Sequence, residues 1–403
     1  MDKHRFFRQH QGLRYLSDAD RYLSAAASPV LRFAFVGCGI MGQEHIRNTL
    51  LEGRAAVAGL YDPNPHSVDT AMHLLRQGQS PRVYATLDEL CNDSTIDAVF
   101  IATPNFTHLD VLRQVMSSGK AIFLEKPIAT TLQDAAEICR LGEQYPALLQ
   151  IGLQYRYKAV YREAQQEVLE RNSVGGVKSV AMQEHRFPFL DKVGQWNKFD
   201  CYTGGTLVEK CCHYFDLINL FAGARPERVF ATGRQAVNFR DFNYDNNAAD
   251  GLDSANVIID YANGVMGTFS LCMHVPGSYE ELVVCGDAGR LQATEQARLG
   301  EEVRNRLVLW AEDHAVSRDT EPRYPRMIER AGHHGSTFQE HVLFVDGILG
   351  EGVATPSLDE AFWSVLVAAA AQESIETGVP CNVADVLPAN YPHSPAGERG
   401  ESE

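Results

Sequence analysis

Gly37-Cys38-Gly39-Ile40-Met41-Gly42 follows the apolar run Arg32–Val36 and opens a helix-compatible stretch, Gln43–Leu51. A second apolar run, Val57–Tyr61, ends at Asp62, 20 residues beyond Gly42. Strand, glycine turn, helix, strand and acid in that order each have a mechanical task. The first glycine permits the tight turn, the second lets a pyrophosphate approach the backbone, and the third lets helix pack on strand. Free N–H groups at the start of the helix favour phosphate. Asp62 can accept hydrogen bonds from the adenosine ribose hydroxyls, which selects NAD and repels the extra phosphate of NADP.

Outward from that turn, short apolar runs alternate with helix-like stretches. The expected strands are Arg32–Val36, Val57–Tyr61, Arg82–Tyr84, Ala98–Ala102, Ala121–Leu124 and Leu148–Gly152, with helices at 42–52, 66–77, 86–91, 106–118 and 131–145. Runs hydrophobic throughout and joined by helical crossovers predict an α/β fold: a Rossmann-type, doubly wound parallel sheet. Past residue 155 the pattern changes. A helix over 159–171 leads to strand Val177–His185, then a helix over 206–221. Long strands follow at 227–237, 252–261, 265–274, 279–285, 290–294 and 306–311, with Asn263-Gly264 as a hairpin signal. These predict a large open, mainly antiparallel sheet in an α+β domain, closed by helices 337–349 and 358–377. The expected division is an extension over 1–30, a dinucleotide-binding domain over 31–155, a second domain over 156–385 and a polar tail over 386–403.

Composition narrows the function. A formal net charge of -16 disfavours nucleic acid or an anionic membrane as partner, since both call for basic faces. No apolar run is long enough for a membrane span, and 1–27 lacks the apolar core of a secretion signal. Nine cysteines, several in apolar runs and none in a CxxC pair, suit reduced buried thiols in a cytoplasm and predict no metal site.

Further clusters fall at the ends of the expected strands. Thr103-Pro104-Asn105 follows the fourth and offers hydrogen bonds to a cofactor; a plain helix-capping turn accounts equally well for that pattern. Glu125-Lys126-Pro127 follows the fifth, where a lysine points into the crevice; beside a positive nicotinamide ring its pKa should fall, which suits proton exchange with a hydroxyl. A surface ion pair is the plainer account of that tripeptide taken alone. In Gly204-Gly205-Thr206-Leu207-Val208-Glu209-Lys210-Cys211-Cys212-His213-Tyr214-Phe215-Asp216, Glu209 and His213 are four apart on an expected helix and share a face. The glycines there allow close approach to a ligand, and an imidazole beside a carboxylate can take a proton from an alcohol.

Together, GCGIMGQEH, ATPNFTH, EKP, GLQYRY and GGTLVEKCCHYFD resemble the Gfo/Idh/MocA oxidoreductases over about residues 31–385. The resemblance implies NAD(P)-dependent oxidation or reduction of sugars, cyclitols or their derivatives, and homo-oligomers (dimers or tetramers) formed through the open sheet. It makes Gly37, Gly39, Ile40, Met41 and Asp62 cofactor contacts, and puts Thr103, Pro104, Asn105, His108 and Glu125 along the nicotinamide half. Lys126 matches the family's active-site lysine and His213 its histidine. Glu209 stands where many members carry Asp. Tyr155, Arg156, Arg186, Trp196 and His334 are substrate-pocket candidates. The implied chemistry is hydride exchange between a secondary alcohol and NAD, with Lys126 or His213 as the base and Glu209 orienting His213. Two other readings share the scaffold: tightly held NAD used in transient oxidation, and a non-catalytic sugar sensor.

Overall fold

A computed structural model describes residues 29–75, 79–188, 191–298, 300–352, 356–389 and 391. Nearly all of the N-terminal extension and much of the polar tail lie outside these residues. The first sheet contains β1 (Leu31–Val36), β2 (Ala55–Tyr61), β3 (Arg82–Val83), β4 (Ala98–Ile101), β5 (Ala121–Glu125) and β6 (Leu149–Gly152). Its order is β3-β2-β1-β4-β5-β6 and every pair is parallel. β4 and β5 are buried at every position, which is why their sequences read as unbroken apolar runs. The strand order reverses between β1 and β4, so a crevice opens beyond their carboxyl ends. Helix α1 (Ile40–Glu52) starts at that crevice.

The second sheet holds β7 (Val177–His185), β8 (Pro226–Arg234), β11 (Ser254–Tyr261), β12 (Met266–Cys272), β13 (Ser278–Gly286), β14 (Gly289–Ala297), β15 (Arg304–Ala311), β16 (Arg318–Thr320) and β17 (Cys381–Asn382); β9 (Asn243–Tyr244) and β10 (Asn247–Ala248) form a small separate ribbon. The order is β16-β15-β14-β13-β7-β12-β11-β8-β17. The antiparallel expectation holds except at its centre, where β7 lies between β12 and β13 and runs parallel to β12. The chain leaving β12 passes the end of β7, held there by Arg186 N–H to the Cys272 carbonyl at 2.8 Å. Consecutive strands β12 and β13 therefore flank β7 instead of pairing.

Apolar residues alternate along these strands, so one face is buried beneath helices and the other stays open. Phe230, Ile258, Met266 and Trp310 lie exposed on the open face. The expected helix over 206–221 is broken: α2 (Thr206–Glu209) stops, and α3 (Cys212–Ala222) begins after Lys210-Cys211. Helix α4 (Ser336–Ile348) returns to pack on α1, and α5 (Leu358–Thr377), started by a Ser357/Glu360 capping box, packs on α3 and β8. All nine cysteines are free. Among the described residues, no helix is long and apolar enough to cross a membrane.

Candidate active site

The chain leaves β1 at Gly37 with φ 93°, a conformation that favours glycine. A Cβ on Gly37 would lie 2.5 Å from the Ala102 carbonyl oxygen, and one on Gly42 would lie 2.0 Å from the Gly37 carbonyl oxygen. On Gly39 it would meet nothing within 4 Å. The outer glycines thus serve the protein's own packing, while the middle one leaves open space before the N-terminus of α1. That space fits a pyrophosphate. Ile40 stands exposed at its edge and Met41 is half-buried. Asp62 accepts from the backbone N–H of Cys38 through Oδ2 and from that of Asn64 through Oδ1, each at 2.8 Å. A carboxylate has further lone pairs, so Asp62 braces the turn and can still accept from ribose hydroxyls.

The loop after β4 meets the turn after β5 next to this cradle. Thr107 Oγ1 donates to the Pro104 carbonyl at 2.7 Å and lies 2.8 Å from Thr103 Oγ1, which holds the loop's shape. His108 is buried below, its ring nitrogens 2.9 Å from the Pro127 carbonyl and 3.2 Å from the Thr103 carbonyl. It ties the two loops together from behind, where the resemblance had it along the nicotinamide half. Burial lowers its pKa, and the contacts with the two carbonyls offset this only in part. The Lys126–Pro127 peptide is cis. Lys126 Nζ donates to the backbone carbonyl of Glu209 at 2.8 Å. That carbonyl is available because the helix breaks after Glu209.

The same break corrects the face-sharing argument for Glu209 and His213. Glu209 points to Asn105, whose amide donates to it, and to Lys192 Nζ at 3.3 Å. It therefore does not orient His213. Asp216 is likewise committed elsewhere, paired with Arg156 through contacts of 2.5 and 2.6 Å. Arg156 also reaches Glu360 at 2.9 Å, so this expected pocket residue is a buried brace between α3 and α5. Gly204 and Gly205 approach the Thr130 carbonyl and Gln372 rather than an open cleft.

His213 stacks on Tyr155 with ring centroids 4.0 Å apart and planes at 7°. Its Nδ1 is buried and has no hydrogen-bond partner among the described residues. A buried polar atom left unpaired costs roughly 1–3 kcal/mol. Burial pushes the His213 pKa well below its ordinary value, and Lys126 and Lys210 push it further. Burial also acts to lower Lys126, but Glu209 outweighs it with help from Cys212 and Glu125, so the ammonium is raised. The fall expected for that lysine is not produced by the protein's own groups. Glu209 moves oppositely: burial raises it, yet Lys126 and Lys192 bring it below the usual carboxylate value.

Behind Tyr155, the inner face of the second sheet carries ions. Glu184, Glu280 and Glu295 lie in register across β7, β13 and β14. Lys158 Nζ sits 2.6 Å from Glu280 and 2.7 Å from Glu295, and 3.9 Å from the Tyr155 ring centroid. Lys210 Nζ contacts the Tyr155 hydroxyl at 2.5 Å and Glu184 at 3.3 Å. Among the pocket candidates, Arg186 lies 3.6 Å from Glu184, and His334 (φ 56°) lies near this lattice. Trp196 sits at the opposite rim, edge-on to Phe106 and 4.3 Å from Lys192 Nζ. Lys158, Lys192, Glu280 and Glu295 escaped sequence reading because nothing local in their segments marks them; only the tertiary register gathers them, and Lys210, though inside the Gly204–Asp216 motif, carried no assigned role. Among the described residues, no group of three or more His, Cys, Asp or Glu side chains could hold a metal ion.

A parallel-sheet glycine cradle, with the half-buried Lys126 and the buried His213 backed by a second large sheet, is the architecture of a two-domain dinucleotide-binding protein. Residues 31–153 match the NAD-binding Rossmann fold of the oxidoreductase family, and residues 166–383 match its C-terminal alpha/beta domain. The chain belongs to the Gfo/Idh/MocA oxidoreductase family. It is 25% identical over 249 residues to the rhizopine catabolism protein MocA of Rhizobium meliloti, covering 61% of this chain and 72% of that protein. Myo-inositol 2-dehydrogenase of Thermotoga maritima is 22% identical over 350 residues, covering 86% of this chain and 96% of the relative. In fold it is similar to levoglucosan dehydrogenase solved with NADH and levoglucosan, with TM-score 0.74, 18% identity, and 88% and 99% of the two chains covered.

Proposed function

We propose that this protein is an NAD-dependent dehydrogenase acting on a secondary alcohol of a sugar, glycoside or cyclitol. The observation that carries the reading is geometric: the half-buried Lys126 has its Nζ 2.8 Å from the Glu209 carbonyl, and the buried His213 stacks on Tyr155 with Nδ1 unpaired among the described residues. Gly37, Gly39, Ile40, Met41 and Asp62 would hold the dinucleotide, with Thr103, Pro104 and Asn105 along the nicotinamide half. Bound NAD supplies the hydride acceptor. Lys126 holds the alcohol oxygen and stabilises its developing negative charge, and His213 takes the hydroxyl proton. Glu209 keeps Lys126 charged and anchors Asn105. Tyr155, Arg186, Trp196 and His334 line the polyol side, a set rich in donors and stacking surfaces. Relatives named for inositol and levoglucosan support this substrate class. The exposed apolar residues on the open sheet face support a homo-oligomer built through it.

The test is a turnover panel of sugars, glycosides and inositols with NAD and with NADP, read as NADH or NADPH absorbance, then repeated with Lys126→Ala on each hit. A reduced-nucleotide signal lost in the variant supports the reading. Silence across the panel from a folded, NAD-binding sample overturns it. Product formed without free NADH would instead favour a tightly held nucleotide.

A further inference from the structure

Helices α1 and α4 each carry the triplet Gln-Glu-His, as Gln43-Glu44-His45 and Gln339-Glu340-His341, and the two helices pack together. Between them runs a buried line of hydrogen bonds. Glu125 Oε1 is 2.8 Å from His45 Nε2, His45 Nδ1 is 2.9 Å from His341 Nε2, and His341 Nδ1 is 3.3 Å from Thr49 Oγ1. His45 and His341 are 0% exposed, and Phe100 and Phe123 hold their rings at centroid distances of 4.8 to 6.3 Å.

With both rings neutral, each imidazole in the line carries one proton. An ionised Glu125 accepts only, so His45 donates from Nε2 and accepts at Nδ1. His341 then donates from Nε2 and accepts from the Thr49 hydroxyl. Every donor and acceptor along it is used, in one direction. Burial pushes His341 well below its ordinary pKa, consistent with a neutral ring. Glu340, fully buried with neither oxygen paired among the described residues, is pushed well up by burial and then by Glu125 and Glu44, so it adds no charge beside the line.

The line ends at the active site. The second oxygen of Glu125, Oε2, accepts from the Lys126 backbone N–H at 3.0 Å. We propose that His45 and His341 are positioning residues for Lys126: they fix the Glu125 carboxylate, which fixes the turn from which the lysine reaches Glu209. His341 belongs to the helix that returns from the second domain, so docking of α4 on α1 sets the aim of the lysine. The proposal rests on the dehydrogenase reading only for its consequence in turnover, not for its geometry.

The experiment compares full-length wild type with His341→Leu, His341→Gln and Thr49→Val. In lysine-labelled protein, the Lys126 ammonium signal is assigned by its loss in Lys126→Arg, and its exchange with solvent is followed by NMR. His341→Leu should quicken that exchange about tenfold or more. It should also lower kcat roughly ten- to a hundredfold while the NAD Kd stays within about twofold. His341→Gln, whose amide can still donate to His45, should recover most of both. Unchanged Lys126 exchange in His341→Leu overturns the proposal. So does a joint fall of Tm, NAD affinity and kcat that His341→Gln does not repair. If His341→Leu does not fold, Thr49→Val is read alone: faster exchange supports the proposal, and none overturns it. The NMR readout needs no substrate, so a wild type that binds NAD but turns over no polyol would sink the dehydrogenase reading alone.

Discussion

Lys126 is half-buried and His213 buried, and their pKa values move in opposite directions: Glu209 offsets burial at the lysine, while burial and then Lys126 and Lys210 lower the histidine. A helix that ran unbroken through Lys210 would have closed off the Glu209 carbonyl and left Lys126 without its anchor. If His213 is the base proposed above, its orphaned Nδ1 sets function against stability at one residue. His213→Phe keeps a ring against Tyr155 and removes the unpaired nitrogen. Its Tm should equal or exceed that of wild type, while kcat falls about 10²- to 10⁴-fold. Thermal denaturation and steady-state kinetics on one preparation check both parts, and a large fall in Tm would return His213 to an ordinary core role. Lys126→Met should lower kcat by about 10²-fold or more with little change in NAD affinity, measured by calorimetry.

The glycine turn and the α1–α4 pair show what one element demands of another. Gly42→Ala drives a methyl into the Gly37 carbonyl, whereas Gly39→Ala meets open space. Gly39→Ala should therefore fold with a wild-type Tm yet bind NAD at least about tenfold more weakly, while Gly42→Ala should lose stability as well; scanning calorimetry and NAD titration separate the two. Glu44 couples α1 to α4 through Thr337 at 2.6 Å and to the turn before α4 through His333 at 2.7 Å. Burial alone would raise its pKa, but those partners hold it at about 2, below the ordinary 4.5. A depressed carboxyl contributes stability above its unfolded pKa and loses it as pH falls through the folded one. Glu44→Gln should thus cost roughly 1–3 kcal/mol near neutrality, and the difference should shrink between pH 4.5 and about 2, as urea melts across pH would show. Elements such as β4, β5 and β7 were legible because burial stamps a period or an unbroken run on the sequence itself. The insertion of β7 between β12 and β13 was not, since pairing across 87 positions leaves no local mark. Likewise the cradle glycines and Lys126 could be read in place, but Arg156 looked like a pocket residue until Asp216, from another element, claimed it. His45 and His341 left one trace, the repeated Gln-Glu-His, whose meaning appears only when the helices pack.

At the scale of the whole molecule, two faces of the second sheet have opposite fates. The open face bears Phe230 beside Ile258 in register, with Met266 and Trp310 further along. If copies associate there, wild type should elute as a dimer or tetramer by light scattering, and Ile258→Asp with Met266→Asp should yield a folded monomer; an unchanged mass would place the contact elsewhere. The inner face is held by Lys158, Glu280 and Glu295, out of reach of mobile ions. Exposed pairs such as Arg306–Asp319 feel dissolved electrolyte, but a sealed lattice hardly does. Heating in about 1 M sodium chloride should then leave the midpoint almost where dilute buffer puts it. Brine becomes a harmless rinse for this protein, able to strip adhering contaminants while the interior goes unnoticed by the ions outside.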